Sequence, residues 1–214
     1  MELKVHDKTG MMYRENTLDL FVIKERGTYY KCFEVCKDKV VMDIGGNIGM
    51  FSYFCLKNGA KQVIAYEPDE SNFAVFCSQP MDDTRIIKNN VAVSNREGEL
   101  EFFLNDGKNK GKHSVISSPH RKEKVIVPCV DFRKELDTYK PQILKIDIEG
   151  GEFFIDLENL PDYIEILAME LHNFHENFEP LLNSIKDRFE FLQESIDKSK
   201  AGKILTVTFV GKRK

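Results

Sequence analysis

Three observations in the sequence predict a single Rossmann-like α/β domain. From residue 40 onward, short apolar runs alternate with helical patterns, which predicts a mostly parallel central sheet with helices on both faces. The first apolar run leads directly into a glycine-rich turn, and a helical pattern follows that turn. The chain has 214 residues, 42% hydrophobic and 31% charged, which suits one globular core.

The elements follow in chain order. Buried strands are predicted at 40–44 and 62–67, a third begins at 85–87, and helices at 50–56 and 70–78 connect them. Further strands are predicted at 99–104, 125–130, 143–148 and 163–171, with helices at 151–160 and 174–189. Residues 203–210 alternate in polarity and predict an antiparallel last strand. Residues 1–39 are interpreted as an N-terminal lead-in packed on the domain of residues 40–214.

Composition narrows the function classes. The net charge of −4 gives no overall attraction to nucleic acid, although a local basic patch could still bind it. The chain contains no apolar run of about 18 residues, so we expect no transmembrane helix and no membrane partner. The N-terminus lacks the apolar stretch of a signal peptide. Five scattered cysteines argue against a disulfide framework and for a reducing compartment, so we expect a cytoplasmic protein.

The turn at residues 43–49, Asp-Ile-Gly-Gly-Asn-Ile-Gly, predicts a nucleotide site, because glycines let a ligand approach the main chain. The pattern differs from the dinucleotide fingerprint, which has glycine at its first, third and sixth places. The Asp43 carboxylate would repel a pyrophosphate but not a sulfonium cofactor that carries an ammonium group. A nicotinamide dehydrogenase is therefore disfavoured. The candidate cofactor-binding residues of the turn are Asp43, Gly45, Gly46, Asn47 and Gly49.

Two positions beyond the turn complete the candidate cofactor site. Glu67 ends the second strand, where an acid in such folds accepts hydrogen bonds from both ribose hydroxyls. After the third strand, Asn89 and Asn90 are candidates for reading the adenine amino group, and Asn90 is preferred. The alternative is that the glycines only make a tight turn and that Glu67 is a surface acid.

With these residues in view, the chain resembles the FkbM-type methyltransferases over about residues 40–172. The resemblance rests on the segments 43–49 with 65–69, 90–98, and 145–152 with 170–172. Family members usually carry alanine where Gly46 and Gly151 stand here. The resemblance implies a class I methyltransferase fold, S-adenosylmethionine as the methyl donor and, typically, O-methylation.

The third segment carries the candidate catalytic residues, Lys145, Asp147, Glu149, Glu152, Glu170 and His172. We expect them to converge, because ligands of open α/β sheets bind beyond the carboxyl ends of the strands. In one interpretation, Asp147 or His172 is the general base for a hydroxyl whose pKa Lys145 lowers. In a second, Asp147, Glu170 and His172 hold a divalent cation, magnesium or manganese rather than structural zinc. In a third, Lys145 and Glu152 only pair with neighbouring acids.

Residues 105–124 form a predicted basic loop, with Lys108, Lys110, Lys112, His113, Arg121 and Lys124. It is interpreted either as a lid that favours acidic acceptors, such as sugar phosphates or RNA, or as a solvated loop. The leading hypothesis is an O-methyltransferase for a small-molecule or saccharide acceptor. An RNA methyltransferase is the alternative, and a non-catalytic nucleotide-binding module is a third hypothesis.

Overall fold

The computed structural model of the protein describes residues 2–105, 113–116 and 123–214. The lead-in consists of short elements, β1 (Lys4–Val5), β2 (Met12–Tyr13), α1 (Asp19–Lys24), a 3₁₀ helix (Glu25–Tyr29) and α2 (Tyr30–Val35). Its residues Met11, Ile23 and Phe33 are buried in the same apolar cluster as Phe51 and Phe54 of the following helix. The division of the chain at residue 39 stays a prediction.

Beyond the lead-in, strands alternate with helices. The first half contains β3 (Val40–Ile44), α3 (Met50–Lys57), β4 (Gln62–Tyr66), α4 (Glu70–Cys77), β5 (Ile86–Asn89), β6 (Ala92–Ser94) and β7 (Gly98–Leu104). The second half contains β8 (Glu123–Asp131), α5 (Phe132–Tyr139), β9 (Ile143–Ile146), a 3₁₀ helix (Gly151–Phe154), β10 (Ile166–His172), α6 (Phe178–Arg188), β11 (Phe189–Lys198) and β12 (Ile204–Arg213). Within the described parts of the chain, no helix has both the length and the apolar character needed to cross a bilayer.

Seven strands form one sheet in the order β5-β4-β3-β9-β10-β12-β11. The first five of these are parallel, and β12 runs antiparallel to both of its neighbours. Strands β6, β7 and β8 form a separate small sheet. The predicted fold class is confirmed, including the antiparallel last strand.

Each face of the large sheet has its own apolar cluster, because successive strand residues point to opposite faces. Val41 and Ile143 pack on one face with α3, while Met42 and Leu144 pack on the other with α5 and α6. Since helices cover both faces, the strands are continuous apolar runs. Their carboxyl ends meet at one edge, and the candidate site residues lie there.

The structure differs from the sequence prediction at several elements, including residues 151–160, the end of β9 and α5. In place of the helix predicted at 151–160 there is a 3₁₀ turn at Gly151–Phe154, after which Ile155 has extended backbone and the chain is irregular. Ile155 and Leu157 are both buried two residues apart, a spacing that extended backbone satisfies and a helix does not. Strand β9 ends at Ile146, so Asp147 already lies past the strand. Helix α5 is absent from the prediction, although Asp131 caps it by accepting the N–H of Lys134 at 3.0 Å.

Candidate cofactor and active site

The glycine-rich turn joins the carboxyl ends of three neighbouring strands. Gly45 has φ +81°, and a Cβ atom there would lie 1.8 Å from the carbonyl oxygen of Asp147. The N–H groups of Gly45 and Gly46 both donate to the carbonyl oxygen of Tyr66, at 3.0 and 2.9 Å. These two donors are therefore used to fasten β3 to β4, and only a residue without a side chain fits at position 45.

The other glycines of the turn make room for helix α4. A Cβ atom would lie 2.8 Å from the Phe76 ring at Gly46 and 2.4 Å from that ring at Gly49. Gly49 also has φ +86°. Gly45, Gly46 and Asn47 line the cavities described below, whereas Gly49 packs against α4.

Glu67 is held rigidly at the end of β4. Its Oε2 accepts the N–H of Asn47 at 2.7 Å, and its Oε1 accepts the N–H of Asp69 at 2.9 Å. The side chain is buried and lines the larger cavity. Burial raises the pKa of Glu67 to about 7, even though the two backbone hydrogen bonds lower it. The carboxylate is thus prepared to accept further hydrogen bonds from a ligand.

Two cavities meet at the turn. The larger, of about 370 Å³, lies between the turn and the small sheet and falls within the usual range for small-molecule sites. Its lining includes Glu67, Asn72, Ser94, Arg96, Phe102 and His113. The smaller, of about 240 Å³, includes Tyr29 of the lead-in, Lys145 and Glu170. Gly45, Asn47 and Asp147 line both cavities, so the two form adjoining parts of one site.

Two predicted cofactor residues lie behind this site rather than in it. Asp43 is fully buried, and its Oδ2 accepts the hydroxyl hydrogen of Ser52 at 2.6 Å. Asn90 donates through Nδ2 to the carbonyl oxygens of Glu67 and Pro68, at 2.8 and 3.2 Å. Asp43 and Asn90 therefore shape the walls of the site.

Lys145 is buried beneath the turn. Its ammonium lies 3.2 Å from Asp43 Oδ1 and 4.0 Å from Asp147 Oδ2, and it donates to the carbonyl oxygen of Gly45. Burial lowers the pKa of Lys145, but Asp43 and then Asp147 outweigh that effect, so the net shift is upward. The cation fixes the turn and partly neutralises the acids around it.

Asp147 is the carboxylate that faces both cavities. About 29% of its side chain is exposed. Burial and repulsion from Glu170 raise the pKa of Asp147 well above its usual range, by more than Lys145 lowers it. Of the six predicted catalytic residues, Asp147 is therefore the best placed to contact a ligand in either cavity.

His172 lies at the end of β10 within reach of three carboxylates. Its Nδ1 is 3.1 Å from Glu152 Oε1, and its Nε2 is 3.4 Å from Glu170 Oε1 and 3.6 Å from Glu149 Oε2. Burial lowers the pKa of His172, but the hydrogen bonds with Glu152 and Glu170 outweigh it and raise the value to about 11. The raised pKa favours the protonated imidazole over the neutral form that a general base requires, which argues against His172 as the general base.

The loop that carries these acids is held in a tight conformation. Glu149 and Gly150 have φ values of +53° and +101°. The Ser114 hydroxyl donates to the Glu149 carbonyl oxygen at 2.6 Å. A Cβ atom at Gly150 would lie 2.7 Å from the Ile116 side chain. Residues 114 and 116 therefore pack against the backbone of the acidic loop.

Part of the predicted basic loop falls outside the described residues, including Lys108, Lys110, Lys112 and Arg121. Lys124 belongs to β8 and pairs with Glu101 at 2.8 Å on the surface. His113 is buried, and its Nδ1 accepts the N–H of Asn105 at 2.7 Å. His113 thus lines the cavity, and the lid interpretation stays a prediction.

The sequence interpretation missed part of the cavity wall. Asn72 and Phe102 line it and lie in no recognised motif, and Arg96 lines it within the segment 90–98 but was not among the predicted site residues. Arg96 and Phe102 belong to the connection between β6 and β7 and to β7 itself, in the small sheet. No local pattern signals these positions, because the small sheet covers the turn only in the folded protein.

Comparison with known proteins agrees with this arrangement. Residues 43–201 match the family model described as the methyltransferase FkbM domain. Over 151 residues, 68% of this chain, the sequence is 28% identical to the Arabidopsis thaliana protein named "Probable protein arginine N-methyltransferase 1.2". The chain spans only 35% of the length of that relative.

The chain is also similar to solved structures at low sequence identity. A Streptococcus mutans protein assigned to the S-adenosylmethionine-dependent methyltransferases has 10% identity and a TM-score of 0.56, over 99% of this chain and 56% of that chain. The tRNA m1G37 methyltransferase of M. jannaschii has 13% identity and a TM-score of 0.47, over 99% and 56% of the two chains. With a family model that covers most of its length, the chain belongs to the FkbM methyltransferase family and has the class I fold of S-adenosylmethionine-dependent methyltransferases.

Proposed function

We propose that this S-adenosylmethionine-dependent methyltransferase domain transfers the methyl group to a hydroxyl oxygen of a small molecule or saccharide. One observation carries the proposal: Asp147 lines both the cavity that contains Glu67 and the adjoining cavity that contains Glu170. A donor in the first cavity and an acceptor at the junction would meet beside the Asp147 carboxylate.

The donor is placed by Glu67 and by the charge of the site. The two Glu67 oxygens are oriented by backbone N–H groups and retain lone pairs for the two ribose hydroxyls. The carboxylates of Asp147 and Glu170 favour a cationic sulfonium centre near the junction. Asn47, whose backbone N–H holds Glu67, would orient the donor through that carboxylate.

Methyl transfer is an in-line displacement, and the site supplies orientation and a proton acceptor. A lone pair of the acceptor oxygen forms the new bond to the methyl carbon. The bond from sulfur to that carbon breaks, and its electron pair stays on sulfur to give S-adenosylhomocysteine. The acceptor hydroxyl, directed at Asp147, transfers its proton to the carboxylates of the site. Lys145, Glu149 and Glu152 act as positioning residues that hold Asp147 and His172 in place.

A labelled-methyl assay tests the proposal. With a panel of hydroxyl acceptors, we expect Asp147→Asn to bind S-adenosylhomocysteine normally and to lose turnover by about 10²–10⁴-fold. The exposed Glu165, which pairs with Lys39 at the opposite end of β10, provides the matched control Glu165→Gln. Full turnover in Asp147→Asn would remove Asp147 from the reaction centre.

A nitrogen acceptor is the second candidate. The carboxylates of Asp147, Glu149 and Glu170 could pair with a guanidinium or ammonium group. The similarity to a protein named as an arginine N-methyltransferase points the same way. An acceptor panel with matched alcohols, amines and guanidines distinguishes the candidates by the atom that gains the label.

An RNA acceptor stays an alternative from the sequence. The same carboxylates would repel a phosphate at the junction, so we rank it below the neutral hydroxyl. Steeply salt-dependent RNA binding together with label transfer to RNA would reverse this ranking.

A further inference from the structure

Three side chains from two strand ends converge at the junction. Asp147, Glu170 and His172 each direct one ligand atom so that all three atoms lie within 4.8 Å of one another. Two oxygen ligands on opposite sides of one Mg²⁺ ion lie about 4.2 Å apart, so a shift of a few tenths of an ångström would bring the three atoms around a common ion. At 3.4 Å, His172 Nε2 and Glu170 Oε1 are also farther apart than a strong charge-assisted hydrogen bond, typically about 2.7–2.9 Å.

The His172 ring is oriented as in a metal ligand. Its Nδ1 lies 3.1 Å from Glu152 Oε1, which fixes the ring and directs Nε2 toward Glu170. Histidines that bind metals commonly donate their other ring N–H to a carboxylate in this way. Glu152 is itself fixed, because its Oε1 also accepts the N–H of Gly150 at 3.2 Å.

A second, independent indication of a cation site is the buried carboxylate of Glu152, one oxygen of which has no hydrogen-bond partner among the described residues. The Glu152 side chain is 0% exposed, its carboxylate faces the His172 ring, and Oε2 has no hydrogen-bond partner among the described residues. Glu149, Glu152 and Glu170 surround His172, whereas the Lys145 ammonium lies nearer to Asp43 than to Asp147. A buried carboxylate atom without a partner is costly, and in the part of the chain that the structure describes four carboxylates here face only one imidazole and one ammonium shared with Asp43, so acidic groups outnumber basic groups at the site.

We propose that Asp147, Glu170 and His172 bind a divalent cation, Mg²⁺ or Mn²⁺, with Glu152 as the positioning residue of His172. Two carboxylates and one imidazole, which releases its Nε2 proton to solvent when the ion binds, suit these ions better than the sulfur-rich sites of structural zinc. Asp147 and Glu170 are each about one-third exposed and line the smaller cavity, so the ion would keep positions open to a ligand there. The inference rests on the proposed function, because the ion would bind the acceptor oxygen and acidify its hydroxyl while the second Asp147 oxygen faces the donor.

Mn²⁺ binding to the full chain tests the site without any need for turnover. Titration followed by electron paramagnetic resonance should show one tight Mn²⁺ per chain. Glu170→Gln should weaken that affinity at least tenfold, and Glu152→Gln should weaken it by about 10–100-fold. The control Glu165→Gln lies outside the cluster and should bind like the wild type. Binding of S-adenosylhomocysteine by each variant checks that it is folded.

The outcomes separate the two proposals. Absence of Mn²⁺ binding, or binding that Glu170→Gln and Glu152→Gln leave unchanged, overturns the cation site. Methyl transfer at full rate in EDTA also overturns it and leaves the methyltransferase proposal standing. Tight Mn²⁺ binding that depends on Glu170 and Glu152, without methyl transfer to any hydroxyl, supports the cation site and contradicts the proposed function.

Discussion

The ammonium of Lys145 lies 3.2 Å from Asp43 Oδ1, across the register in which β9 pairs with β3. Both side chains are almost completely buried, and this ion pair underlies the glycine-rich turn. Removal of one buried partner leaves an uncompensated charge, which costs far more than the loss of an ion pair at the surface. Asp43 therefore supports the cofactor site through the stability of the turn.

The first prediction concerns this pair. We expect Lys145→Met to lower the free energy of unfolding by about 3–5 kcal/mol, because Asp43 stays buried without a counterion. Lys39→Met, which breaks the more exposed pair with Glu165, should cost about 0–1 kcal/mol. Urea denaturation measures both. Equal losses in the two variants would show that the buried pair has no special role.

The second prediction concerns Glu67. Glu67→Gln should weaken S-adenosylhomocysteine binding by about 10–100-fold, because hydrogen bonds to a charged acceptor contribute about 1.5–3 kcal/mol. Glu70→Gln, a change to an exposed acid three residues further on, is the matched control. Isothermal titration calorimetry gives both affinities. An unchanged affinity in Glu67→Gln would show that Glu67 does not bind the ribose hydroxyls.

The third prediction is a pH dependence of cofactor affinity. The pKa of Glu67 is raised to about 7, so its protonated form becomes populated as the pH falls below that value. A protonated carboxyl has fewer acceptor sites, and affinity for S-adenosylhomocysteine should drop by up to about tenfold per pH unit below 7. Calorimetric titrations between pH 5.5 and 8.5 measure the slope. The Glu67→Gln variant should lack this component, and an identical slope in that variant would assign the titration to another group.

The fourth prediction tests the close approach at the turn. Gly45→Ala should lower both the free energy of unfolding and the cofactor affinity, because its Cβ would overlap the Asp147 carbonyl oxygen and its φ is +81°. Gly202 has φ +78° with open space around it and provides the control. Gly202→Ala should lower the free energy of unfolding by only about 1 kcal/mol, through backbone strain alone. Thermal denaturation compares the two. A smaller loss for Gly45→Ala than for Gly202→Ala would contradict the close approach of Gly45 to the Asp147 carbonyl group.

Much of the fold could be predicted because its signals are local. The runs at 40–44 and 62–66 are apolar on both faces, as buried parallel strands require, and the structure confirms both. The conformation of residues 151–160 is harder to predict from sequence, because the apolar spacing fits extended chain while the flanking residues fit a helix. The short helix α5 has few apolar residues and depends on its Asp131 cap.

The candidate site was predicted in part. Glu67 and Asp147 follow directly from their places at strand ends, and both line the cavity. Asp43 also lies near the carboxyl end of a strand, but it pairs with Lys145 beneath the turn, because strand β9 lies beside β3 in the sheet. Residue type and strand position therefore indicate the edge of the sheet, but they do not tell which carboxylate faces the ligand.

By itself, the sequence determined most of the order of strands and helices, the glycine-rich turn and the set of acids at the strand ends, because periodicity and backbone freedom are properties of short segments. Only the tertiary structure decided which of those acids are paired and which face a cavity. The proximity of His172 to Glu149, Glu152 and Glu170 depends on how two strand ends and a tight loop pack together. Charge interactions depend on distances in space, and those distances are fixed only when the whole sheet is assembled.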